Sequence, residues 1–176
     1  MKKNKFSKNW IIKQKRDLYV KKSKLEGYRS RAVYKLEEIN DKFKIIKNNI
    51  LVVDLGAAPG SWSQYISRNF KNSKIISIDL KDIEPIKNVT HIIGDFTDEN
   101  EKLKIQNYFR KKVDLIISDM AVNTTGNKSI DSLVTGELCI EAMSFANDHL
   151  NKNGSFISKL FMGSSFNEIV ALGKKS

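Results

Sequence analysis

The feature that most constrains the fold is a glycine-containing turn at residues 54–62, which reads DLGAAPGSW. It follows an apolar run at residues 50–53 and leads into a segment with helical spacing. A strand, a tight glycine turn and a helix start form the ligand-binding corner of open α/β sheets. Gly56 and Gly60 can adopt positive φ and let a ligand approach the backbone, while Pro59 stiffens the turn. The pattern predicts a ligand-binding turn, although glycines also serve a plain strand-to-helix connection.

The chemistry of this turn narrows the class of ligand. Asp54 places a carboxylate at the strand end, which suits a cationic or hydroxyl-bearing ligand better than a bare pyrophosphate. The glycine spacing departs from G-x-G-x-x-G, and the chain contains no G-x-x-x-x-G-K-[ST] motif, so the two commonest phosphate-binding motifs are absent. S-adenosylmethionine, which carries an amino group and a sulfonium, is therefore the ligand that we predict. A nicotinamide-dependent dehydrogenase is a remote alternative.

Apolar runs alternate with helical stretches along the chain, and this alternation predicts an α/β fold with a doubly wound, mostly parallel sheet. We expect residues 1–27, which lack periodicity, to form a loosely ordered basic arm, and residues 28–176 to form one domain. The segment 79–88 contains Pro85 and leaves little room for a crossover helix. The predicted strands are residues 50–53, 74–78, 89–93, 113–118 and 155–161; the predicted helices are one from Ser30 to about Lys44, residues 61–69, 99–110 and 132–150, and a shorter one after Ser165.

The positive charge of the chain is concentrated at its N-terminus. Residues 1–35 hold 13 Lys and Arg against two acids, whereas residues 36–176 hold 18 bases and 18 acids. Trp10, Tyr19 and Tyr28 are interleaved with these bases and can stack on nucleobases. Phosphate is the natural partner of such a segment, so we predict binding to nucleic acid. A solvated lysine-rich tail and a basic presequence are the alternatives.

Composition argues against other classes of protein. No apolar run approaches the roughly 20 residues that a bilayer span needs, so no membrane partner is expected. Cys139 is the only cysteine, which excludes an internal disulfide and a thiolate-rich zinc site. No metal is expected.

Four aspartates, Asp54, Asp79, Asp95 and Asp119, end or follow predicted strands. In a parallel sheet they lie on one rim, where carboxylates repel one another unless they are solvated or paired. A ligand with a ribose diol, an adenine amino group and an ammonium would explain all four, although a single aspartate can simply cap a turn.

Lys159 lies in the last predicted strand, between apolar residues. Burial lowers the pKa of a lysine and makes its neutral amine available as a base, whereas a nearby aspartate raises that pKa. The sequence alone leaves this competition open, and a lysine that extends from a strand end into water is the simpler alternative.

Five motifs follow one another in a set order. They are SRAVYKL at residues 30–36, DLGAAPGSWSQ at residues 54–64, GDF at residues 94–96, SDMA at residues 118–121, and the strand that carries Lys159. Their order and intervals, from about residue 19 to about residue 167, resemble the FtsJ/RrmJ (RlmE) family of ribosomal RNA 2′-O-methyltransferases. The resemblance implies a Rossmann-like methyltransferase fold that uses S-adenosylmethionine.

Members of that family methylate the ribose 2′-hydroxyl of a uridine in large-subunit ribosomal RNA, on the assembled subunit. The resemblance implies that Lys35, Asp119 and Lys159 match three members of the family's Lys-Asp-Lys-Glu tetrad. In that scheme Lys159 removes the hydroxyl proton, while Lys35 and Asp119 position the nucleophile. The predicted cofactor-binding residues are Asp54, Gly56, Gly60, Trp62, Asp79, Asp95 and Asp119, with Asp79 on the ribose diol and Asp95 near the adenine.

The sequence departs from the family pattern in two places. Val122 stands where the family has proline, next to a retained Asn123. Relatives also continue past the last helix into two more strands, the second of which carries the tetrad glutamate, whereas this sequence ends at Ser176. We therefore expect a fold that lacks the last two strands, with the Lys159 strand as an exposed edge and with impaired control of the lysine charge.

These features leave three functional hypotheses. The first is methylation of ribosomal RNA in the large subunit by a cytoplasmic monomer, which could self-associate through its exposed edge strand. The second is 2′-O-methylation of transfer RNA or another RNA. The third is a truncated, catalytically impaired RNA-binding module.

Overall fold

The computed structural model describes residues 17–120, 126–163 and 165–174. These residues form strands and helices that alternate along most of the chain. In chain order the elements are α1 (Leu18–Leu25), α2 (Val33–Phe43), β1 (Leu51–Leu55), α3 (Ser61–Asn69), β2 (Lys74–Asp79), β3 (Val89–Ile93), α4 (Glu99–Phe109), β4 (Val113–Ser118), α5 (Lys128–His149), β5 (Leu150–Ser158) and α6 (Phe166–Gly173).

The five strands form a sheet in the order β3-β2-β1-β4-β5, and every neighbouring pair is parallel. Successive side chains of a strand point to opposite faces, so each strand contributes to two cores. Val52 and Leu115 pack in the cluster that contains residues of α2 and α3. Val53 and Ile116 pack in the cluster that contains residues of α4 and α5. Helices therefore cover both faces, and the predicted doubly wound fold is confirmed.

Most element bounds agree with the sequence-based predictions. The bounds of α3, β3 and β4 coincide with those predicted, and α2 ends at Phe43 with Lys44 in the left-handed conformation. The connection between β2 and β3, residues 80–88, contains no helix, as its proline suggested. In the described part of the chain, no helix combines the length and apolar character that a bilayer span requires.

The prediction for β5 was wrong by several residues at both ends. The strand begins at Leu150, which pairs with Val113, and a register irregularity follows before Leu115 pairs with Ser155. The polar residues after Leu150 resemble a turn in sequence, but the side chain of Asn151 donates to that of Asp114 in β4 at 2.6 Å. The ladder ends with the pair Ser118–Ser158, because β4 itself ends there. Lys159 consequently lies one residue beyond the strand.

The prediction of a loosely ordered arm was also wrong for its last third. Residues 18–25 form α1, whose N-cap Asp17 accepts hydrogen bonds from the backbone of Tyr19 and Val20. The helix is held by tertiary contacts: the Tyr34 hydroxyl donates to Glu26 at 2.8 Å, and Arg31 pairs with Asp17. These contacts, rather than helical periodicity, order the segment. Residues 1–16, which include Trp10, and the motif residues Val122 and Asn123 lie outside the described residues.

Candidate active site

The turn after β1 is built around a glycine with a positive φ of 67°. The backbone amides of Gly56 and Ala57 both donate to the carbonyl of Ile78, at 2.8 and 3.1 Å, which fixes the turn against the end of β2. A Cβ atom at Gly56 would lie 2.0 Å from Cγ of Met120. Both the conformation and the close approach therefore require glycine at this position.

Asp54 has a structural role that the sequence did not indicate. Its carboxylate is buried, and Oδ2 accepts hydrogen bonds from the backbone amide of Ser63 at 3.1 Å and from its hydroxyl at 2.6 Å. This contact fastens the first turn of α3 to the end of β1. Burial raises the pKa of Asp54 to about 7; the hydrogen bonds from Ser63 oppose this, and the charges of Asp119 and Asp79 add to it. Its predicted contact with the cofactor stays a prediction.

The raised pKa of Asp54 predicts an unusual dependence of stability on pH. The folded state holds the proton more tightly than the unfolded chain, where an aspartate has a pKa of about 3.9. The contribution of Asp54 to stability is therefore largest at acidic pH and is lost as the pH rises towards about 7. Relative to Asp54→Asn, the Tm of the wild type should fall by at least about 3 °C between roughly pH 5 and pH 8. Thermal melts of both proteins across this range test the prediction, and a constant difference in Tm would contradict it.

A cleft of about 530 Å³ opens at the carboxyl ends of β1, β2 and β4. The Asp79 carboxylate accepts from the backbone amides of Ala58 and Lys81, both at 2.9 Å. The Asp95 carboxylate accepts from the amide and the hydroxyl of Thr97, at 2.9 and 2.8 Å. Residues of the cleft that the sequence predicted for the cofactor site are Gly56, Asp79, Asp95 and Asp119, and residues that it did not predict include Leu80, Lys81, Gly94, Phe96, Met120 and Leu138.

Three predicted cofactor residues, Asp54, Gly60 and Trp62, are not part of the lining of this cleft. The Trp62 ring is buried in the core, and its indole N–H donates to the carbonyl of Ala32 at 2.8 Å. Beside it, the hydroxyls of Ser30 and Ser61 lie 2.7 Å apart. These contacts tie the start of α2, and hence Lys35, to the glycine turn. The cofactor contacts of Gly60 and Trp62 stay predictions.

Arg29 supports the turn after β1 from its outer side. The sequence did not predict this role, because Arg29 is only one of many basic residues in the N-terminal segment. Its guanidinium donates to the carbonyl of Pro59 at 2.9 Å, to that of Glu84 at 2.6 Å and to that of Pro85 at 3.1 Å. Gly60 has a φ of 92°, and a Cβ there would lie 3.0 Å from this guanidinium. Arg29 thus joins the turn after β1 to the loop after β2, and each of these segments contributes lining residues to the cleft.

Replacing Arg29 by methionine should loosen both segments. We expect about 1 kcal/mol less stability, because a partly exposed hydrogen-bonding group is lost, and roughly three- to tenfold weaker binding of S-adenosylhomocysteine. Thermal melts and calorimetric titration measure the two effects. Arg29→Lys is the control, because it keeps the charge but cannot form the same fork of hydrogen bonds. Unchanged affinity in the methionine variant would contradict the bracing role.

The two predicted catalytic lysines meet at one aspartate. Lys35 Nζ lies 3.0 and 3.3 Å from the two carboxylate oxygens of Asp119, and Lys159 Nζ lies 3.2 Å from Oδ1. Lys159 also donates to the backbone carbonyl of Asp119 at 2.9 Å. The register explains the meeting: Ser118 pairs with Ser158, so the next residues of the two parallel strands, Asp119 and Lys159, lie side by side. The structure therefore brings all three predicted catalytic residues together.

The surroundings of Lys159 show which of two opposing influences on its pKa is larger, burial or the neighbouring carboxylate. Burial lowers the pKa of Lys159; the charge and the hydrogen bond of Asp119 raise it, and the charge of Lys35 lowers it further. The net direction is downward from the ordinary value. A lysine in this position has more neutral amine at neutral pH than a solvated lysine, as a general base requires.

The residues of the cleft fit S-adenosylmethionine. Three carboxylates can accept hydrogen bonds from hydroxyl, amino and ammonium groups, and Asp79 uses only two of its four lone-pair positions on the backbone. Phe96, Met120 and Leu138 supply apolar surface for a flat ring. The volume falls within the roughly 300–1,000 Å³ of small-molecule sites. In the described part of the chain, no group of three or more His, Cys, Asp or Glu side chains could hold a metal ion.

The strand order, the glycine turn after β1 and the acidic cleft together define a Rossmann-like methyltransferase. A family model described as FtsJ-like methyltransferase matches residues 28–176. The chain belongs to the FtsJ-like methyltransferase family, and its methyl donor is S-adenosylmethionine.

Similar proteins agree with this assignment. Ribosomal RNA large subunit methyltransferase E of Pelagibacter ubique is 62% identical over 99% of this chain and 86% of the relative. The protein of the same name from Rickettsia akari is 48% identical over 93% of this chain and 75% of the relative. A crystal structure described as a ribosomal RNA methyltransferase of Plasmodium falciparum has a TM-score of 0.77 at 38% identity, covering 84% of this chain and 86% of that chain.

Proposed function

We propose that this chain transfers the methyl group of S-adenosylmethionine to the ribose 2′-hydroxyl of a uridine in large-subunit ribosomal RNA. The observation that carries the proposal is the meeting of Lys35 and Lys159 at Asp119, a residue that also lines the acidic cleft. The proposed base therefore lies next to the donor site, so that proton removal and methyl transfer can occur at one hydroxyl. The names of the two curated relatives, which are ribosomal RNA large subunit methyltransferases, support the choice of RNA.

Three side chains act on the nucleophile, the ribose 2′-hydroxyl, and each has a different role. Lys159, as the neutral amine, accepts the proton of the 2′-hydroxyl at Nζ. Asp119 orients this amine, and its charge stabilises the ammonium that forms. Lys35, half exposed at the mouth of the site, offers a positive charge to the developing alkoxide and positions the hydroxyl for an in-line approach.

The donor-binding roles follow the chemistry of the cleft. When bound, S-adenosylmethionine supplies an electrophilic methyl group on sulfur. Asp79 would accept hydrogen bonds from a ribose diol, and Asp95 would accept one from an adenine amino group. Gly56 lets the ligand approach the backbone at the turn. Asp54 and Gly60 act by holding this turn and α3 in place, and Trp62 acts by holding the start of α2.

The RNA-binding surface is proposed to include the basic N-terminal segment, residues 1–27, beside the domain formed by residues 28–176. Lys21, Lys22 and Lys24 of this segment are exposed on α1. We propose that the protein acts in the cytoplasm, where its proposed substrate, the large ribosomal subunit, is assembled. A monomer is the proposed state, and β5, which forms one edge of the described sheet, is the strand through which copies would associate.

Methyl transfer from labelled S-adenosylmethionine to undermethylated large subunits tests the function. Nuclease digestion should release the label as 2′-O-methyluridine, and fully methylated subunits should accept none. Preferential labelling of transfer RNA would replace ribosomal RNA as the substrate. Salt-sensitive binding to subunits without any turnover would instead indicate an RNA-binding module and would overturn the proposed activity.

A further inference from the structure

A second concave surface lies at the opposite end of the sheet from the cleft. This amino-end groove has a volume of about 440 Å³ and occupies the starts of β2 and β3. Tyr108, from the end of α4, forms part of its lining. Tyr108 is 50% exposed, yet its hydroxyl lies 3.0 Å from that of Thr90, and its ring makes an edge contact with Phe109, with the ring centroids 5.1 Å apart. An aromatic ring that is held in place and still open to solvent suits stacking.

The groove also carries a cation and an unpartnered hydroxyl. Lys74 is exposed, and it makes no salt bridge with any residue in the described ranges. Ser73, which also lines the groove, has a buried hydroxyl with no hydrogen-bond partner. Such a group costs free energy when it is left unsatisfied. Asn72 and Asn88 add amide groups that can both donate and accept.

Hydrogen bonds connect the two turns that carry these groups. The backbone amide of Lys71 donates to the side chain of Asn48 at 2.7 Å, and that of Asn49 donates to the carbonyl of Lys71 at 2.9 Å. Asn72 donates to Asn49 at 3.0 Å. The turns before β1 and β2 therefore form one unit, and Lys71 and Lys74 extend from it into solvent.

Basic residues are characteristic of this whole end of the sheet. These basic residues precede or begin neighbouring strands, and the amino ends of those strands lie on one rim of the sheet. In the described part of the chain, none of these residues forms a salt bridge. The rim at the carboxyl ends of the strands, in contrast, carries the aspartates of the cleft. Their negative charge repels phosphate, except close to the two lysines of the site. The basic residues of the amino-end rim are Lys47, Lys71, Lys74, Arg110, Lys111 and Lys112.

We propose that the amino-end groove is a second RNA-binding site, which takes one unpaired nucleotide of the substrate with its base on Tyr108 and its phosphate beside Lys74. The neighbouring lysines and arginine of the rim would contact the phosphates of the RNA backbone on either side of that nucleotide. The identity of the RNA rests on the proposed function. Lys74 and Asp79 are the two ends of β2, about 17 Å apart at 3.3 Å per residue, so one folded RNA would contact both ends of the sheet.

Binding of a short, fluorescein-labelled oligouridylate tests the groove directly. Tyr108→Leu should weaken binding by roughly 5- to 100-fold, because one base loses its stacking partner. Tyr108→Phe should keep most of the binding, because it retains the ring and its edge contact with Phe109. Lys74→Gln should reduce the slope of log affinity against log salt by about 0.7, the value for one phosphate contact on a single strand. Lys174→Gln, which removes the same charge beyond α6, should leave affinity and slope unchanged.

Three results would overturn the proposal: wild-type affinity in Tyr108→Leu, an equal loss in Tyr108→Phe, or an equal change of slope in Lys174→Gln. Affinity for S-adenosylhomocysteine, measured on the same proteins, should stay within about twofold of the wild type, because the cleft lies at the other end of the sheet. If the leucine variant fails to fold, the comparison of Lys74→Gln with Lys174→Gln still decides. If the wild type methylates no subunits while Tyr108→Leu weakens oligouridylate binding and Lys74→Gln lowers the salt slope as expected, the proposed function fails and the groove stands.

Discussion

Replacing Lys159 by methionine is expected to lower the rate of methyl transfer to undermethylated large subunits by about 10²- to 10⁴-fold. The proposed base lies 3.2 Å from Asp119 Oδ1 and is only 20% exposed, so water cannot readily take its place. Methionine preserves most of the length and apolar surface of the lysine side chain but accepts no proton. Single-turnover transfer of a labelled methyl group is the appropriate measurement, because it reports the chemical step rather than product release.

The binding of cofactor and RNA should survive this substitution. Lys159 is not part of the lining of the cleft, so calorimetry should give an affinity for S-adenosylhomocysteine within about twofold of the wild type. Lys159→Arg is the matched variant, because it retains the charge but stays protonated, and it should be as inactive as the methionine variant. Substantial activity in either variant would remove Lys159 as the base.

The sequence predicted the elements whose signals are local. The bounds of β3 and β4 coincide with short segments rich in valine, isoleucine and leucine, and α3 begins directly after Gly60. The grouping of Asp119 with Lys159 came from the resemblance to the FtsJ/RrmJ family and not from a local signal, because the sequence had placed Lys159 inside the last strand. In the structure both residues follow parallel strands, which end on one rim of the sheet, and this brings them together.

The features that the sequence did not predict depend on partners far along the chain. α1 is stabilised by Tyr34 and by Arg31, and it has no apolar stripe of its own. The bracing role of Arg29 depends on backbone carbonyls, which have no sequence signature. The end of β5 is set by the end of β4, so no pattern within residues 150–161 could have placed Lys159 outside the strand.

Two further substitutions should shift the pH dependence of methyl transfer in opposite directions. If neutral Lys159 is the base, activity rises with pH towards its pKa. Burial lowers this pKa, the Asp119 carboxylate raises it, and the Lys35 charge lowers it. Asp119→Asn should therefore move the acidic limb of the rate profile to lower pH, whereas Lys35→Met should move it to higher pH. Both should also lower the plateau rate by about 10²-fold, because the nucleophile is less well positioned.

Opposite shifts distinguish electrostatic control of one amine from a general loss of structure. A damaged fold would lower activity at every pH and would leave the limb in place or move it alike in both variants. Asp119→Asn keeps the backbone carbonyl to which Lys159 donates at 2.9 Å, so the amine retains an anchor while it loses the neighbouring charge. Shifts of the same sign in the two variants would show that the titrating group lies elsewhere, and the proton of the 2′-hydroxyl would then need another acceptor.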